Sequence, residues 1–195
     1  MRILGIDPGT VTVGYGCLQV AEVAPARPAG ERPIAQRAGN VVSAVAGRSD
    51  ARVVEAGALR LGRSGVAIEA RLGRLAVELA ALIERLGPDQ MALEGAFAGK
   101  SVQAALRIGE ARGVVLAAAH RAGVSVVQLA PARVKRCLTG HGAAGKPQVA
   151  NMTCQLLGLA HPPQPHDVAD ALAVAYACAE QRFSLRHASS SRTPR

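Results

Sequence analysis

The sequence predicts an α/β fold built on a mixed five-stranded sheet with helices on both faces. Three stretches suited to strands, at 2–7, 12–20 and 53–61, come first along the chain. Two more, at 91–96 and 124–130, alternate with helical patterns. Consecutive strands favour antiparallel pairing, and strands separated by helices favour parallel pairing. This order therefore predicts one mixed sheet.

The first of these strands ends on an acidic residue. Residues 2–7 are apolar at positions facing both sides of the sheet, which is typical of a central strand. Asp7 closes the strand, and Pro8 and Gly9 start a turn, because proline cannot donate a ladder hydrogen bond. A carboxylate in this place must be paired, hydrogen-bonded or metal-bound. The alternative for Asp7 is a plain turn-capping role.

A long segment separates the second strand from the third. Residues 21–51 contain Pro25, Pro28 and Pro33 among many alanines and arginines, and they show no steady hydrophobic period. We expect a flexible insertion between two hairpin strands. Its role is either that of an inert linker or that of a second basic contact with DNA or a partner.

Helical patterns follow the third strand. The first helix has leucines every three or four residues and a charged opposite face, and it ends before the turn at 87–89. Its leucines are Leu72, Leu75, Leu79, Leu82 and Leu86, and its charged residues are Arg71, Arg74, Glu78 and Arg85. Further helices are expected at 99–123, 131–140, 145–159 and 167–183. We expect one domain over 1–183 and a disordered basic tail over 184–195.

Charge is the most informative bulk property of the chain. Its 195 residues carry a formal net charge of +9, which favours a polyanionic partner such as nucleic acid or an anionic membrane surface. Aromatic residues make up 2% of the chain, so the core must be aliphatic. No apolar run reaches the length of a membrane span.

The cysteines and the first residues bear on the compartment. Cys17, Cys137, Cys154 and Cys178 form no C-x-x-C pair, so neither a disulfide framework nor a zinc site is indicated. We expect them to be reduced core residues. Because Met1 is followed almost directly by a strand, we expect no signal peptide and a cytoplasmic location.

Three more acids stand in apolar surroundings. Glu94 lies inside a short apolar strand, and Asp167 and Asp170 share one face at the start of a helix. Taken individually, Glu94 could be a strand-edge charge and Asp167 could be a helix N-cap. Taken with Asp7, they form a set of carboxylates that would repel each other unless a cation held them.

This acidic set predicts a chemistry. Hard oxygen ligands select Mg²⁺ or Mn²⁺. In a basic protein, such a site indicates two-metal cleavage of a phosphodiester, with the metals about 3.5–4 Å apart. One metal would activate a water molecule, and the other would stabilise the leaving 3′ oxygen.

Four motifs occur in order along the chain: GIDPGTVTVGYG, ALEGAFAGKS, GHGAAGKPQVANM and HDVADALAVA. Together they resemble the RuvC family of Holliday junction resolvases, which have the RNase H-like fold. The resemblance extends over nearly the whole chain, except for the 21–51 insertion and the tail. It implies a metal-dependent endodeoxyribonuclease that nicks two opposed strands of a four-way junction symmetrically, in recombination and DNA repair.

The resemblance also implies ligands and partners. The four metal-binding acids of the family correspond to Asp7, Glu94, Asp167 and Asp170, which would bind two Mg²⁺ per subunit, with Mn²⁺ as a substitute. Lys146 follows a glycine-rich loop and would hold the scissile phosphate or offset developing charge. A homodimer acting on four-way junction DNA is implied, together with the branch-migration proteins RuvA and RuvB.

The DNA contacts expected from the resemblance and from charge are more varied. Phe97 matches an aromatic residue that stacks on bases, and its alternative is a place in the core. Basic candidates for phosphate contacts are Lys100, Arg107, Arg133 and Lys135, which are equally consistent with a solvated face. In the second helix, Gly109 and Gly113 would allow close approach of a partner helix, or else would pack against the sheet.

The chain departs from the family pattern in places. Gly95 follows Glu94 where many members carry a polar residue, which leaves the placement of Phe97 open. His166 precedes Asp167 where some members use a histidine ligand, and we expect it to support the site rather than to bind the metal. His141 is a second candidate, for proton transfer, with a plain loop role as its alternative.

Three other functions remain open at the level of sequence. GIDPGT also resembles the phosphate loop of the sugar kinase, actin and Hsp70 ATPases, but the chain is short for that class and lacks a second such loop. A shorter RuvC-like family linked to ribosomal RNA processing is disfavoured by GHGAAGKPQV. An inactive junction-binding protein is disfavoured because all four acids are present.

Overall fold

A computed structural model describes residues 1–21, 50–95 and 101–190. The elements follow the predicted order of three strands and then alternating helices and strands. Their bounds are β1 Arg2–Asp7, β2 Thr12–Val20, β3 Ala51–Arg60, α1 Ile68–Leu86, β4 Gln90–Glu94, α2 Val102–Arg121, β5 Ser125–Leu129, α3 Pro131–Thr139, α4 Lys146–Leu157 and α5 His166–Ser190.

The five strands form one mixed sheet in the order β3-β2-β1-β4-β5. The hairpin-connected strands β1, β2 and β3 pair antiparallel, whereas β4 lies parallel to both β1 and β5. β1 is the central strand, as its two-sided apolar pattern predicted. The predicted five-stranded mixed sheet is therefore confirmed.

Alternation along β1 divides the core into two layers. Ile3 packs with α3, α4 and α5 on one face of the sheet. Leu4 and Ile6 pack with α1 and α2 on the other face. Asp7 follows the parity of Ile3 and Gly5, so it belongs to the face that α5 covers. The prediction of helices on both faces is confirmed.

Glycines in β1 and β2 allow α5 to lie unusually close to the sheet. A Cβ atom on Gly5 would lie 2.1 Å from the carbonyl oxygen of Ala171, and one on Gly14 would lie 2.0 Å from that of Asp167. Both oxygens belong to the backbone of α5, so neither can move aside as a side chain would. The missing side chains on the sheet thus bring the first turns of α5 against the end of β1.

Two side chains differ from prediction in their exposure. Arg71 was expected on the charged face of α1, but it is buried because its guanidinium bonds to backbone carbonyls. Cys137 is exposed on α3, since Val134 and Leu138 form the buried side of that helix, whereas the other three cysteines are buried.

The last helix also extends further than predicted. α5 continues to Ser190, so residues 184–190 are helical rather than part of a disordered tail. Neither glycine nor proline occurs between Phe183 and Pro194, and each added helical residue gains a hydrogen bond once a helix exists. The last five residues, most of the 21–51 insertion, Phe97 and Lys100 lie outside the described residues.

The helices were also compared with the length and hydropathy that a membrane span requires. Within the described ranges, no helix is both long and apolar enough to cross a bilayer.

Candidate active site

Two of the four predicted acids lie at the ends of adjacent parallel strands. Ile6 of β1 pairs with Leu93 of β4, so Asp7 and Glu94 are the next residues along the two strands. Ala92 packs on the α5 side of the sheet, and Glu94 shares its parity. Both carboxylates therefore emerge from the same edge and on the same face.

The other two acids come from the first turn and a half of α5. Asp167 and Asp170 are three residues apart and face one side of the helix. Both are half-buried. The close contact of α5 with Gly14 sets this turn beside the end of β1, since Gly14 is the β2 partner of Asp7. Four carboxylates from three elements are thereby brought together.

A cleft of about 250 Å³ opens over this edge of the sheet. Asp7, Glu94 and Asp170 line it, together with Lys135 of α3 and Lys146 of α4. The Lys146 Nζ lies 3.2 Å from Asp170 Oδ2, and its side chain remains 81% exposed. An exposed ammonium group, paired with one of the acids, therefore lines the acidic cleft.

Burial, reinforced by repulsion between carboxylates, sets the electrostatics of the cleft. Burial, followed by the charges of Asp170, Asp167 and Glu94, raises the pKa of Asp7 to about 7, and Lys146 opposes the shift. Burial and Asp170 also raise the pKa of Glu94, while Lys146, Lys135 and Arg112 lower it. The attraction of Asp170 raises the pKa of Lys146. The cluster carries more negative charge than its lysines offset.

The donor chemistry fits a hard divalent cation. Carboxylate oxygens are the ligands that Mg²⁺ and Mn²⁺ prefer, and the raised pKa of Asp7 identifies negative charge that a cation would stabilise. In the part of the chain that the structure describes, no three acid, histidine or cysteine side chains already have the spacing of a metal site. Metal binding would therefore require the carboxylates to draw closer together.

Comparison with known proteins places the chain among nucleases. The family model described as crossover junction endodeoxyribonuclease RuvC matches residues 30–178. The protein of that name from Chlorobium phaeovibrioides is 40% identical over 176 residues, which cover 90% of this chain and 79% of the relative. The chain belongs to the RuvC family. The RuvC protein of Chloroflexus aggregans is 41% identical over 175 residues, covering 90% of each chain.

Solved structures agree with this membership of the RuvC family. The structure of Thermus thermophilus RuvC matches with a TM-score of 0.72 and 29% identity, covering 94% of this chain and 96% of that one. The same protein in complex with a Holliday junction substrate matches with a TM-score of 0.72, 28% identity and 96% coverage of each chain. The predicted RNase H-like fold is confirmed. RuvC-family proteins are metal-dependent endodeoxyribonucleases.

The remaining predicted contacts of this RuvC-family chain fall into two groups. Lys135 is half-buried and lines the cleft. Neither Arg107 nor Arg133 lines the cleft. Arg107 pairs with Glu110 on α2 at 3.1 Å, and Arg133 is exposed on α3. The two candidate histidines, His141 and His166, are exposed and do not line the cleft either. Phe97 and Lys100 lie outside the described residues.

Two buried arginines beside the RuvC-family site were not predicted. Arg71 of α1 donates to the Thr10 carbonyl at 2.7 Å, in the loop that follows Asp7. Arg112 of α2 donates to the carbonyl of Glu94. The available signal for Arg112 was a charge between the apolar positions Ala111 and Val115, on a helix face that packs against the sheet.

The glycines of α2 leave one face of that helix open. A Cβ on Gly109 or Gly113 would meet nothing within 4 Å, so the alternative that they pack against the sheet is wrong. Val102 and Leu106, earlier on the helix, are 77% and 64% exposed. This surface of small and apolar residues is called the α2 face below.

Proposed function

We propose that this chain resolves four-way DNA junctions, cutting two opposed strands symmetrically as a homodimer. The observation that carries the proposal is the convergence of Asp7, Glu94, Asp167 and Asp170 beside Lys146 at one edge of the sheet. Membership of the RuvC family supports the reaction class and the substrate. The net charge of +9 supports a polyanionic substrate.

The four acids are the proposed ligands of two Mg²⁺ ions per subunit, which Mn²⁺ replaces. When bound, such ions supply an activated water nucleophile and charge stabilisation for the leaving 3′ oxygen. Asp7 and Glu94 are fixed by the sheet, whereas Asp167 and Asp170 are carried by the first turns of α5. Both supports are firmly held, because α5 packs closely on Gly5 and Gly14 of the sheet.

Lys146 is proposed to act on the scissile phosphate. Its pairing with Asp170 holds the ammonium at the cleft, and its exposure leaves it able to reach a phosphate oxygen. A cation in this place offsets charge that develops on the phosphate during cleavage. If Asp170 served as a metal ligand, its pairing with Lys146 would weaken and the lysine would be available to the substrate.

The proposed DNA contacts extend outward from the cleft. Lys135 lies inside it and binds a phosphate next to the cleaved one. Arg107, Arg133 and Lys100 contact the junction arms through phosphates, and Phe97 stacks on a base at the junction centre. Base stacking on an aromatic ring is worth about 1–3 kcal/mol, so Phe97 contributes to distortion of the junction.

The α2 face is the proposed dimer contact. Open glycines at Gly109 and Gly113 permit close approach of a second helix, and exposed Val102 and Leu106 supply apolar area. A symmetric dimer presents two identical sites, which matches the two-fold symmetry of a four-way junction. One nuclease domain per subunit, a cytoplasmic location and cooperation with RuvA and RuvB complete the proposal.

A synthetic four-way junction provides the test. Incubation with Mg²⁺ or Mn²⁺ should give paired nicks in opposed strands, and Ca²⁺ should support binding without cleavage. A linear duplex of the same arm sequence serves as the substrate control and should remain intact. Undiminished cleavage in excess EDTA would contradict the two-metal site, and intact junctions with every metal would contradict the function itself.

A further inference from the structure

Two arginines are buried near the four acids. Among the described residues, the buried charged side chains are Arg71 and Arg112, which are 8% and 7% exposed. A buried guanidinium is costly unless its donors are paired with good geometry. The partners of Arg112 therefore indicate what its burial maintains.

Arg112 joins the ends of two strands. Its Nη1 donates to the carbonyl oxygen of Glu94, and its Nη2 donates to Gln128 Oε1 at 2.7 Å. Gln128 on β5 is the register partner of Leu93 on β4. One planar group thus holds both the last residue of β4 and its neighbouring strand from the α2 side of the sheet.

Glu94 needs such a support because the ladder ends beside it. Glu94 and Leu129 form the last pair between β4 and β5. Beyond this pair, the Gly95 amide donates to the Leu129 carbonyl at 2.6 Å. The contact from Arg112 adds a fixed bond to the Glu94 carbonyl itself. Together they fix the orientation of the Glu94 peptide, which in turn aims the carboxylate toward the cleft on the opposite face.

We propose that Arg112 is a positioning residue for metal binding, which acts by holding the Glu94 backbone so that its carboxylate meets the other acids. The inference rests on the proposed function in taking Glu94 as a metal ligand. Arg71 makes a comparable contact near Asp7, at the Thr10 carbonyl, which indicates that helices behind the sheet support both strand ends.

The same strand offers a matched control. Arg182 of α5 donates to Gln90 Oε1 at 2.9 Å, at the opposite end of β4 from Glu94. Arg112→Met and Arg182→Met each remove one arginine that bonds to a β4 residue and keep an apolar stem of similar length. Arg112→Lys retains the charge but gives up the planar fork that serves two acceptors.

Two readouts separate positioning from stability. The melting temperature of the metal-free protein should fall in both methionine variants. Mn²⁺ binding to the free proteins, followed by the electron paramagnetic resonance signal of unbound Mn²⁺, should weaken about 10- to 100-fold in Arg112→Met. It should be unchanged in Arg182→Met and intermediate in Arg112→Lys. Junction affinity in Ca²⁺ should remain near that of the wild type in all three.

The outcome that overturns the proposal is equal Mn²⁺ affinity in Arg112→Met and Arg182→Met. If Arg112→Met fails to fold, Arg112→Lys and Gln128→Ala carry the comparison, and wild-type Mn²⁺ affinity in both would overturn it. Failure of the proposed function is a separate result. A wild-type protein that binds Mn²⁺ but leaves junctions uncut would contradict that function, while the comparison of Mn²⁺ affinities would still decide the role of Arg112.

Discussion

Asp7 is the residue at which assembly of the site most clearly affects the stability of the metal-free protein. Its pKa of about 7, raised by burial and by three neighbouring carboxylates, lies well above the ordinary value of 3.8. Between these two values the folded state retains a proton that the unfolded chain has released. Stability of the metal-free protein should therefore fall as the pH rises through this window.

Asp7→Asn tests this expectation. The amide cannot ionise, so the metal-free variant should be more stable than the wild type at about pH 8, and the difference should vanish near pH 4. Each pKa unit corresponds to about 1.4 kcal/mol, and partial exposure of Asp7 reduces the expected gain to about 2 kcal/mol. Denaturant unfolding at both pH values measures it, with Glu84→Gln on α1 as an exposed-acid control.

A gain of equal size at both pH values would contradict the pKa assigned to Asp7. Saturating Mg²⁺ should remove the advantage of Asp7→Asn at the higher pH, because the cation takes over the role of the proton.

At the residue scale, sequence predicted the acids but not their supports. Asp7 and Glu94 stand out because an acid at the end of an apolar strand has few structural uses. Arg71 and Arg112 do not stand out, since an arginine on an amphipathic helix normally faces water. Their burial follows from backbone carbonyls that become available only when the strand ends and the helices are assembled.

At the element scale, the seating of α5 on the sheet decides the geometry of the site. Gly5→Ala should displace this helix, because the new Cβ would lie 2.1 Å from the Ala171 carbonyl oxygen. Overpacking of this kind typically costs about 1–3 kcal/mol. The displacement also moves Asp167 and Asp170, so cleavage of a four-way junction should fall further than stability alone explains.

Gly73→Ala supplies the control for that substitution. Gly73 lies within α1, and a Cβ there would meet nothing within 4 Å. Alanine should raise the melting temperature, since glycine inside a helix costs about 0.5–1 kcal/mol relative to alanine. The melting temperatures of the two variants should therefore move in opposite directions, and the cleavage rate should fall in Gly5→Ala but stay at the wild-type level in Gly73→Ala. Equal activity in Gly5→Ala and Gly73→Ala would show that the seating of α5 does not position the acids.

The pairing of β2 with β3 continues as far as the described residues that flank the segment 22–49. Val20 pairs with Ala51, and the Ala21 amide donates to the Asp50 carbonyl at 3.1 Å. Glu55 of β3 also accepts hydrogen bonds from Tyr15 and Arg85. Replacing residues 22–49 with an Asn-Gly turn should therefore preserve the fold.

Circular dichroism and thermal unfolding of that shortened protein measure the outcome. An unfolded product would mean that the segment contributes to the core. A folded product with weaker junction binding would assign it a contact with DNA, which is the second of the two roles considered for it.

Element order was predictable here, whereas element ends were less so. Apolar period and turn residues located the five strands and five helices that the described residues form, because each element has to bury one face. The end of α5 was misplaced by seven residues, since a polar sequence without glycine or proline can extend a helix that tertiary packing has already nucleated. The close contact between α5 and the sheet depends on Gly5 and Gly14, which sequence alone does not match to a particular helix.

For the whole molecule, the net charge of +9 predicts strong salt dependence of junction binding. Each phosphate that the protein neutralises contributes about −0.9 to the slope of log affinity against log salt concentration. Lys135→Met should reduce the slope by about 1, because Lys135 lines the cleft. Arg74→Met removes the same charge from α1, on the other face of the sheet, and should leave the slope unchanged.

Fluorescence anisotropy of a labelled junction in Ca²⁺ at several salt concentrations gives these slopes. A flat dependence for the wild type would show that the basic residues do not contact phosphates. Equal slopes for the two variants would place Lys135 away from the DNA.

The central claim is that four carboxylates from β1, β4 and α5 form one catalytic site. A single series on one four-way junction tests it most directly, with cleavage and binding measured on the same preparations. The variants are Asp7→Asn, Glu94→Gln, Asp167→Asn and Asp170→Asn, with Glu69→Gln on α1 as the control for loss of a charge.

Each of the four site variants should lose about 10³-fold or more in cleavage rate, an effect worth several kcal/mol of charge stabilisation. Their junction affinity should hold or improve, because the surface facing the DNA becomes less negative. The control should cut at the wild-type rate. A site variant that binds the junction and still cuts it at a rate near that of the wild type would contradict the account for that acid.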